Sequence, residues 1–201
     1  RDSNTAGNNW YVFHSALASG HYVKLNQTSA TTAVSGTSNG GVGSVTSTTI
    51  NFVQGTTGNN KNVNENGDNF IAYCWTSIAG YSSMGSYKGV SASGTSGEAD
   101  GPYVHCGFKP AWILIKQSSG TNNWIITDIK RDTQNPTTDW LYADLTASEE
   151  SDNGRYLDIL STGFKIRSPG SSFNTDGATY IYVAFAERPS GTGFGLDANS
   201  H

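Results

Sequence analysis

Charged side chains are scarce in this sequence, and their scarcity excludes several classes of partner. Asp, Glu, Lys and Arg together make up 14% of the 201 residues, and the formal net charge is −4. The 12 Lys and Arg residues form no cluster, whereas binding to nucleic acid or to an anionic membrane surface needs concentrated positive charge. No apolar run approaches the roughly 18 residues that a membrane-spanning helix requires. We therefore expect neither nucleic acid nor a membrane as a partner.

Helical periodicity and closely spaced cysteines are also lacking. The best helix candidate, residues 146–150, offers at most one turn behind a capping threonine. Cys74 and Cys106 lack the spacing of a zinc site and are predicted to be two separate buried thiols, with a disulfide as the alternative in an extracellular protein. By contrast, 24 glycines and abundant Ser, Thr and Asn accompany strand-favouring Tyr, Val and Ile. This balance is typical of an all-β protein with many turns.

No motif in the sequence dictates a chemistry. His14, His21 and His105 are not spaced as metal ligands, and no nucleophile motif is present. Glycoside hydrolysis needs only two carboxylates at a set separation, and the candidates for such a pair are Asp128, Asp132, Asp139, Glu149, Glu150 and Asp158. The adjacent Glu149 and Glu150 are more simply explained as a solvated turn. We therefore predict that the protein is not an enzyme.

One segment matches the start of a calcium-binding loop. Residues 62–68 place oxygen-bearing side chains at alternating positions before Gly67. At the twelfth position, however, such a loop needs a bidentate Glu, and this sequence has Tyr73 there. An Asn/Gly turn explains the segment equally simply. We expect no cofactor, with calcium as the alternative.

The sequence repeats one pattern at a nearly constant spacing. Residues 70–75 (FIAYCW) and 182–187 (YVAFAE) share the order aromatic, aliphatic, Ala, aromatic, small. An Asn-Asn-Trp segment precedes both, ending at Trp10 in the first copy and at Trp124 in the second. Copies of this length indicate two β-rich units rather than a short-period solenoid.

We accordingly predict an all-β fold, an antiparallel β-sandwich of jelly-roll or lectin-like type built from two repeated units. The first unit spans residues 1–80 and lacks an opening strand, which we expect to be missing by truncation or supplied by another chain. It is followed by a Gly/Ser/Tyr-rich connection over 81–101, a complete second unit over 102–189 and a glycine-rich tail over 190–201. The sequence leaves open whether these units form one domain or two. Strands are expected at 10–14, 22–25, 50–53, 70–75, 103–106, 111–116, 124–127, 140–143, 156–160, 164–167 and 180–187.

Three strings within these units resemble a known family. They are GYSSMGSY at 80–87, DGPYVHCGFKPAWILIK at 100–116 and GATYIYVAFAE at 177–187. The strings are similar to an uncharacterised β-rich domain family of structural and tail-associated proteins of bacteriophages, especially marine ones; the chain departs from it at 31–47 and 117–119. The resemblance implies a virion or extracellular location. It implies no activity and transfers no catalytic residue.

Aromatic side chains are the remaining candidates for a site. Trp10 and Trp124 recur in both copies and are predicted to lie in the core. Flat rings exposed on a β surface can stack on sugar faces, and the rings expected on such a platform, with two carboxylates as polar partners, are Trp75, Tyr81, Tyr87, Trp140, Asp100 and Asp139.

The resulting hypothesis is a non-enzymatic appendage module of a bacteriophage that binds host-surface glycan. Other virion subunits are the expected partners, and a homo-oligomer is the expected state. Two alternatives remain: a purely structural fibre or decoration subunit that assembles by strand pairing between chains, and a glycan depolymerase. A binder should gather its exposed aromatics with convergent polar groups, whereas a structural subunit should use them at contacts between chains.

Overall fold

The computed structural model describes residues 1, 8–34, 41–53, 63–151, 154–169 and 171–188. The described residues form an all-β protein with one 3₁₀ turn, Ser171–Phe173, and no α-helix. The strands are β1 Tyr11–Val12, β2 His21–Lys24, β3 Thr32–Ala33, β4 Gly41–Val45, β5 Ile50–Val53, β6 Ser82–Lys88, β7 Tyr103–His105, β8 Pro110–Gln117, β9 Trp124–Asp128, β10 Asp139–Tyr142, β11 Glu150–Ser151, β12 Leu157–Leu160, β13 Gly163–Ile166 and β14 Thr179–Ala186.

A six-stranded antiparallel sheet organises the molecule, with the strand order β11-β10-β9-β8-β14-β6. Its longest pairings are those of β14, which places Val183 opposite Leu114 of β8 on one side and opposite Met84 of β6 on the other. The sequence of β14, TYIYVAFA, alternates β-branched or aromatic residues on both faces, as expected for a strand covered on both sides.

One face of this sheet forms the main core. Alternate residues of β8 and β14 point to it, including Ile113, Ile115 and Tyr180, and they join Phe164 and Ile166 of a second, three-stranded sheet with the order β12-β13-β7. All five are at most 1% exposed. Each large apolar side chain that is buried contributes about 1.5–3 kcal/mol of transfer free energy. This core is therefore the main source of stability.

The opposite face carries a smaller core against β1 and β2. Val23 packs there with Trp124 and Ile181, all at most 2% exposed. The Trp124 indole Nε1 also donates a hydrogen bond to the Lys24 carbonyl at 2.8 Å. Trp124 therefore joins the sheet β1-β2-β3 to the six-stranded sheet, and its predicted place in the core is confirmed.

The strand predicted over 70–75 is wrong. Phe70 forms a single bridge, and residues 71–77 belong to no strand of the described structure and are all exposed. Conversely, the connection predicted over 81–101 contains β6, which pairs with β14 along seven residues. A strand needs a partner as well as a suitable pattern, and here β6 occupies the side of β14 that is left free by β8.

The two copies of the repeated pattern thus have different structures at 70–75 and 182–187. The predicted helical turn at 146–150 is absent too, since Glu150 instead begins β11. The tail predicted over 190–201 lies outside the described residues, as does Asn62 of the calcium-loop segment.

Candidate functional site

Two of the rings predicted to be exposed are buried. Tyr87 is 8% exposed and Trp140 only 1%, and both belong to the main core. Tyr87 stacks on Tyr180 at 4.9 Å and donates its hydroxyl hydrogen to the Phe173 carbonyl at 2.9 Å. Tyr87 lies on β6 and Trp140 on β10, four strand spacings apart in the sheet, or about 19 Å at ~4.8 Å per spacing. These two rings therefore stabilise the fold and cannot form an exposed platform.

The other predicted residues do not converge either. Tyr81 is half-buried and packs on Phe185, with ring centroids 5.9 Å apart. Asp100 is paired with Lys165, whose hydrogen bond and charge lower the pKa of that carboxyl group. Asp139 accepts a hydrogen bond from the Ser151 hydroxyl at 2.6 Å. Of the six predicted residues, Trp75 alone is a fully exposed ring.

Trp75 is part of an aromatic row with Tyr73 and Trp10. The Tyr73 ring centroid lies 6.1 Å from that of Trp75 and 6.0 Å from that of Trp10, with tilts of only 23° and 30° between the ring planes. Trp75 is 66% exposed and Tyr73 63%. The sequence predicts a strand over 70–75 and a core position for Trp10, so that of these three rings only Trp75 is predicted to be exposed. The core prediction is wrong for Trp10, which is half-buried and belongs to neither core cluster.

The local chain brings these rings together. Ile71, Tyr73 and Trp75 are alternate residues of segment 71–77, which belongs to no strand and is exposed throughout. The backbone of Ile71 exchanges two 3.0 Å hydrogen bonds with Arg1, whose guanidinium lies 5.4 Å from the Trp10 ring centroid. The result is a row of three rings whose neighbouring planes are tilted by only 23° and 30°.

An open surface depression of about 420 Å³, here called the polar cavity after its lining side-chain types, adjoins this row through Asn26. It is lined by amide, hydroxyl and carboxylate side chains: Asn26, Gln27, Thr28, Ser29, Thr121 and Asp144. Asn26 connects the two features, because its Oδ1 accepts a hydrogen bond from the Trp10 amide at 3.0 Å and its Nδ2 donates to Asn9 Oδ1 at 3.1 Å. The cavity walls come from the β2–β3 and β8–β9 loops and from the residues after β10.

A buried lysine holds two of these walls. Lys116 is fully buried, and its Nζ donates to the carbonyls of Thr28 at 3.0 Å and Gln117 at 2.8 Å. Burial lowers the pKa of this amine to about 8, although the charge of nearby Asp144 acts in the opposite direction. The ammonium group is thus directed at backbone carbonyls.

The two cysteines are both free, which confirms that they are separate thiols. Only Cys106 is partly buried, and burial raises its pKa to about 11. Cys74 is exposed, so the prediction that both are buried is wrong for that residue. It lies in the same exposed segment as Tyr73 and Trp75.

The described part of the calcium-loop segment forms a turn in which the Asp68 amide donates to the Glu65 carbonyl at 3.3 Å, with Gly67 at a φ of 88°. Among the described residues, no group of three or more His, Cys, Asp or Glu side chains could hold a metal ion. In the same ranges, no helix has the length and apolar character needed to cross a membrane.

A family model, a domain of unknown function, matches residues 1–189. The chain belongs to the DUF7483 family. No curated protein and no solved structure matches it. The function of this DUF7483 domain must therefore be argued from its own surface, and the aromatic row with the adjoining cavity is the part of the described surface best suited to hold a ligand.

Proposed function

We propose that this DUF7483 domain is a non-enzymatic module of a bacteriophage appendage that binds host-surface glycan. The observation that carries the proposal is the row formed by the exposed rings of Tyr73 and Trp75 with the half-buried ring of Trp10. Exposed aromatic rings are costly to leave in water, and a contiguous exposed apolar patch marks an interaction site. The apolar face of a sugar ring matches the flat, electron-rich face of an indole or phenol.

The sequence around the row carries little charge. Residues 69–87 contain no charged residue, and neither do residues 25–60. One cation contacts the row, the Arg1 guanidinium 5.4 Å from the Trp10 ring centroid. With so few charges, electrostatic steering is weak, which suits recognition by shape and stacking. Polar partners are available in the adjoining cavity, as a glycan binder requires.

Affinity per site should be modest. An aromatic contact contributes about 0.5–1.5 kcal/mol beyond the area that it buries, so that one row of three rings gives weak binding. Several copies on one appendage would raise the avidity through effective concentration. A homo-oligomer, as expected from the sequence, would serve this purpose.

The proposal includes a β-sandwich of lectin-like type that arose from two copies of one unit. The six-stranded sheet and its three-stranded partner are consistent with the sandwich, and the sequence repeat is consistent with the two copies. The virion setting rests on the resemblance of the three strings at 80–87, 100–116 and 177–187.

Binding to a panel of neutral and acidic surface polysaccharides, immobilised and probed with purified protein, tests the proposal. We expect Trp75→Ala and Tyr73→Ala to reduce retention at least tenfold. Tyr103→Ala is the matched control, because Tyr103 is an exposed ring (46%) on β7 outside the row. Equal retention of all three variants, or no retention of the unmodified protein, contradicts the proposal.

A structural subunit is the second candidate, and one observation favours it. The exposed segment 71–77 belongs to no strand of the described structure, and it leads through the Ile78–Ser82 bridge into β6, an end strand of the large sheet. Such a segment could pair with a strand of another chain. Light scattering across a concentration series separates the candidates: a monomer favours the glycan binder, whereas a growing filament favours assembly by strand pairing.

A further inference from the structure

We propose that the polar cavity is a second subsite for the same glycan and that it accepts a neutral, hydroxyl-rich sugar unit. The proposal rests on the proposed function and names the class of ligand that the surface selects. Its residues are Asn26, Gln27, Thr28, Ser29, Thr121 and Asp144. None of them was a candidate at the level of the sequence.

The position of the cavity supports this assignment. Asn26 lines the cavity and bonds to the backbone of Trp10, the first ring of the row. The Leu25 amide also donates to the Trp10 carbonyl at 2.9 Å, so that this part of the wall and the base of the row are fixed to each other. The cavity therefore lies at the Trp10 end of the row, where a sugar chain stacked on Tyr73 and Trp75 could reach it.

The lining groups match sugar hydroxyls. Amides and hydroxyls both donate and accept hydrogen bonds, and a carboxylate accepts several. Asp144 accepts one bond on each oxygen, from the Asn123 side chain at 3.2 Å and from the Trp124 amide at 3.1 Å. Each oxygen retains a lone pair for a ligand hydroxyl. A hydrogen bond to a charged group is among the stronger ones.

The charge of the lining excludes an acidic sugar. Asp144 is the one ionised side chain among the six lining residues, and a ligand carboxylate beside it would be repelled. The charge of nearby Lys116 reduces this repulsion but does not replace it with an ion pair, because the Lys116 Nζ already donates to the carbonyls of Thr28, Gln117 and Gly120.

The walls are already held in place without a ligand. The Asn122 amide donates to the Thr28 carbonyl at 2.9 Å, and the Thr31 amide donates to the Ser118 carbonyl at 2.9 Å. These bonds, together with those of Lys116, join the β2–β3 loop to the β8–β9 loop. A preorganised site loses less conformational entropy on binding, which favours a weak ligand such as a single sugar unit.

The test is a titration with three neutral hexasaccharides (gluco-, manno- and galacto-configured) and with an oligogalacturonate hexamer. Affinities come from calorimetry, and the affected amides from NMR chemical shifts. We expect a neutral hexasaccharide to bind at least tenfold more tightly than the acidic hexamer and to shift the amides of 26–29 and Thr121.

Asp144→Asn and Thr121→Val should each lower the affinity for the neutral ligand about three- to tenfold, and Asp144→Asn should also narrow the preference over the acidic hexamer. Asp176→Asn is the matched control, because Asp176 also accepts a backbone hydrogen bond, from the Ser91 amide at 2.9 Å, but lies outside the cavity. Thr121 is exposed, so that Thr121→Val should not affect folding. This variant therefore still tests the cavity if Asp144→Asn destabilises the protein.

The possible failures are distinguishable. If Trp75→Ala abolishes binding while Asp144→Asn and Thr121→Val leave it unchanged, the cavity is not a subsite but the row still binds glycan. Tighter binding of the acidic hexamer overturns the assignment of a neutral ligand. If no hexasaccharide binds, the subsite and the proposed function are both overturned.

Discussion

Residues 182–186 lie in β14 between two partner strands, whereas residues 70–75, which carry nearly the same pattern as 182–187, lie on the surface without a strand. The contrast extends to the halves of the molecule. Exposed large apolar side chains concentrate before residue 80, where they are Val45, Ile50, Phe52, Ile71, Tyr73 and Trp75, against Val90, Tyr103 and Leu145 afterwards. The same apolar pattern therefore lies in the core in one half and on the exposed surface in the other.

The physical difference lies in what surrounds each copy. β14 hydrogen-bonds to β8 and β6 and is covered on both faces, so that Tyr182 and Ala184 are buried. Its counterpart has neither neighbour, and its backbone pairs with Arg1 at one residue. A strand-forming sequence gains little when no sheet edge is available to it.

The largest expected effect comes from the two tryptophans at equivalent places in the repeat. Trp124→Ala should lower the free energy of unfolding by about 3–5 kcal/mol, because it removes a buried ring and the hydrogen bond to Lys24. Trp10→Ala, at a half-buried site, should cost less than half as much. Urea denaturation of both variants measures this, and equal losses would contradict the division into a core half and a surface half.

Two alanines at matching places give a smaller effect. Ala184 is fully buried in β14, whereas Ala72 is exposed. Ala184→Leu should destabilise by about 1–3 kcal/mol through overpacking, and Ala72→Leu should change stability by less than about 0.5 kcal/mol. Thermal melts of the pair provide the comparison. A large loss at Ala72 would show that residues 70–75 pack in solution as their counterpart does.

Lys116 gives a pH-dependent signature of the second half. Its pKa is about 8 in the folded protein, whereas an ordinary lysine, as in the unfolded chain, has a pKa of 10.5. Above pH 8 the unfolded chain therefore binds more protons than the folded protein, and folding stability rises with pH. Between pH 8 and 9.5 we expect a gain of about 1–2 kcal/mol relative to Lys116→Met.

Taking the difference between the two proteins cancels the contribution of Cys106, whose raised pKa acts in the opposite sense above pH 9. Denaturant midpoints at several pH values, with Lys88→Met as the control at an exposed lysine, provide the measurement. A parallel pH profile for the unmodified protein and Lys116→Met would contradict the role assigned to the buried amine.

The sequence allowed most strands of the second half to be predicted, because their alternating apolar residues are buried as the pattern requires. β8, β9, β12 and β13 lie within one or two residues of their predicted positions. β6 was missed because its glycine and serines carry little strand signal, and its pairing with β14 is a long-range contact. The candidate site was predicted only at Trp75, since exposure depends on which surfaces are already covered.

Composition and local pattern by themselves determined the all-β class and the positions of the long strands. These properties depend on alternation and side-chain type within a few residues. Tertiary structure alone decided that Tyr87 and Trp140 are buried, that Tyr73 and Trp10 join Trp75, and that Asn26 and Asp144 line one cavity. Each of these depends on which strand edges and sheet faces are occupied by distant parts of the chain.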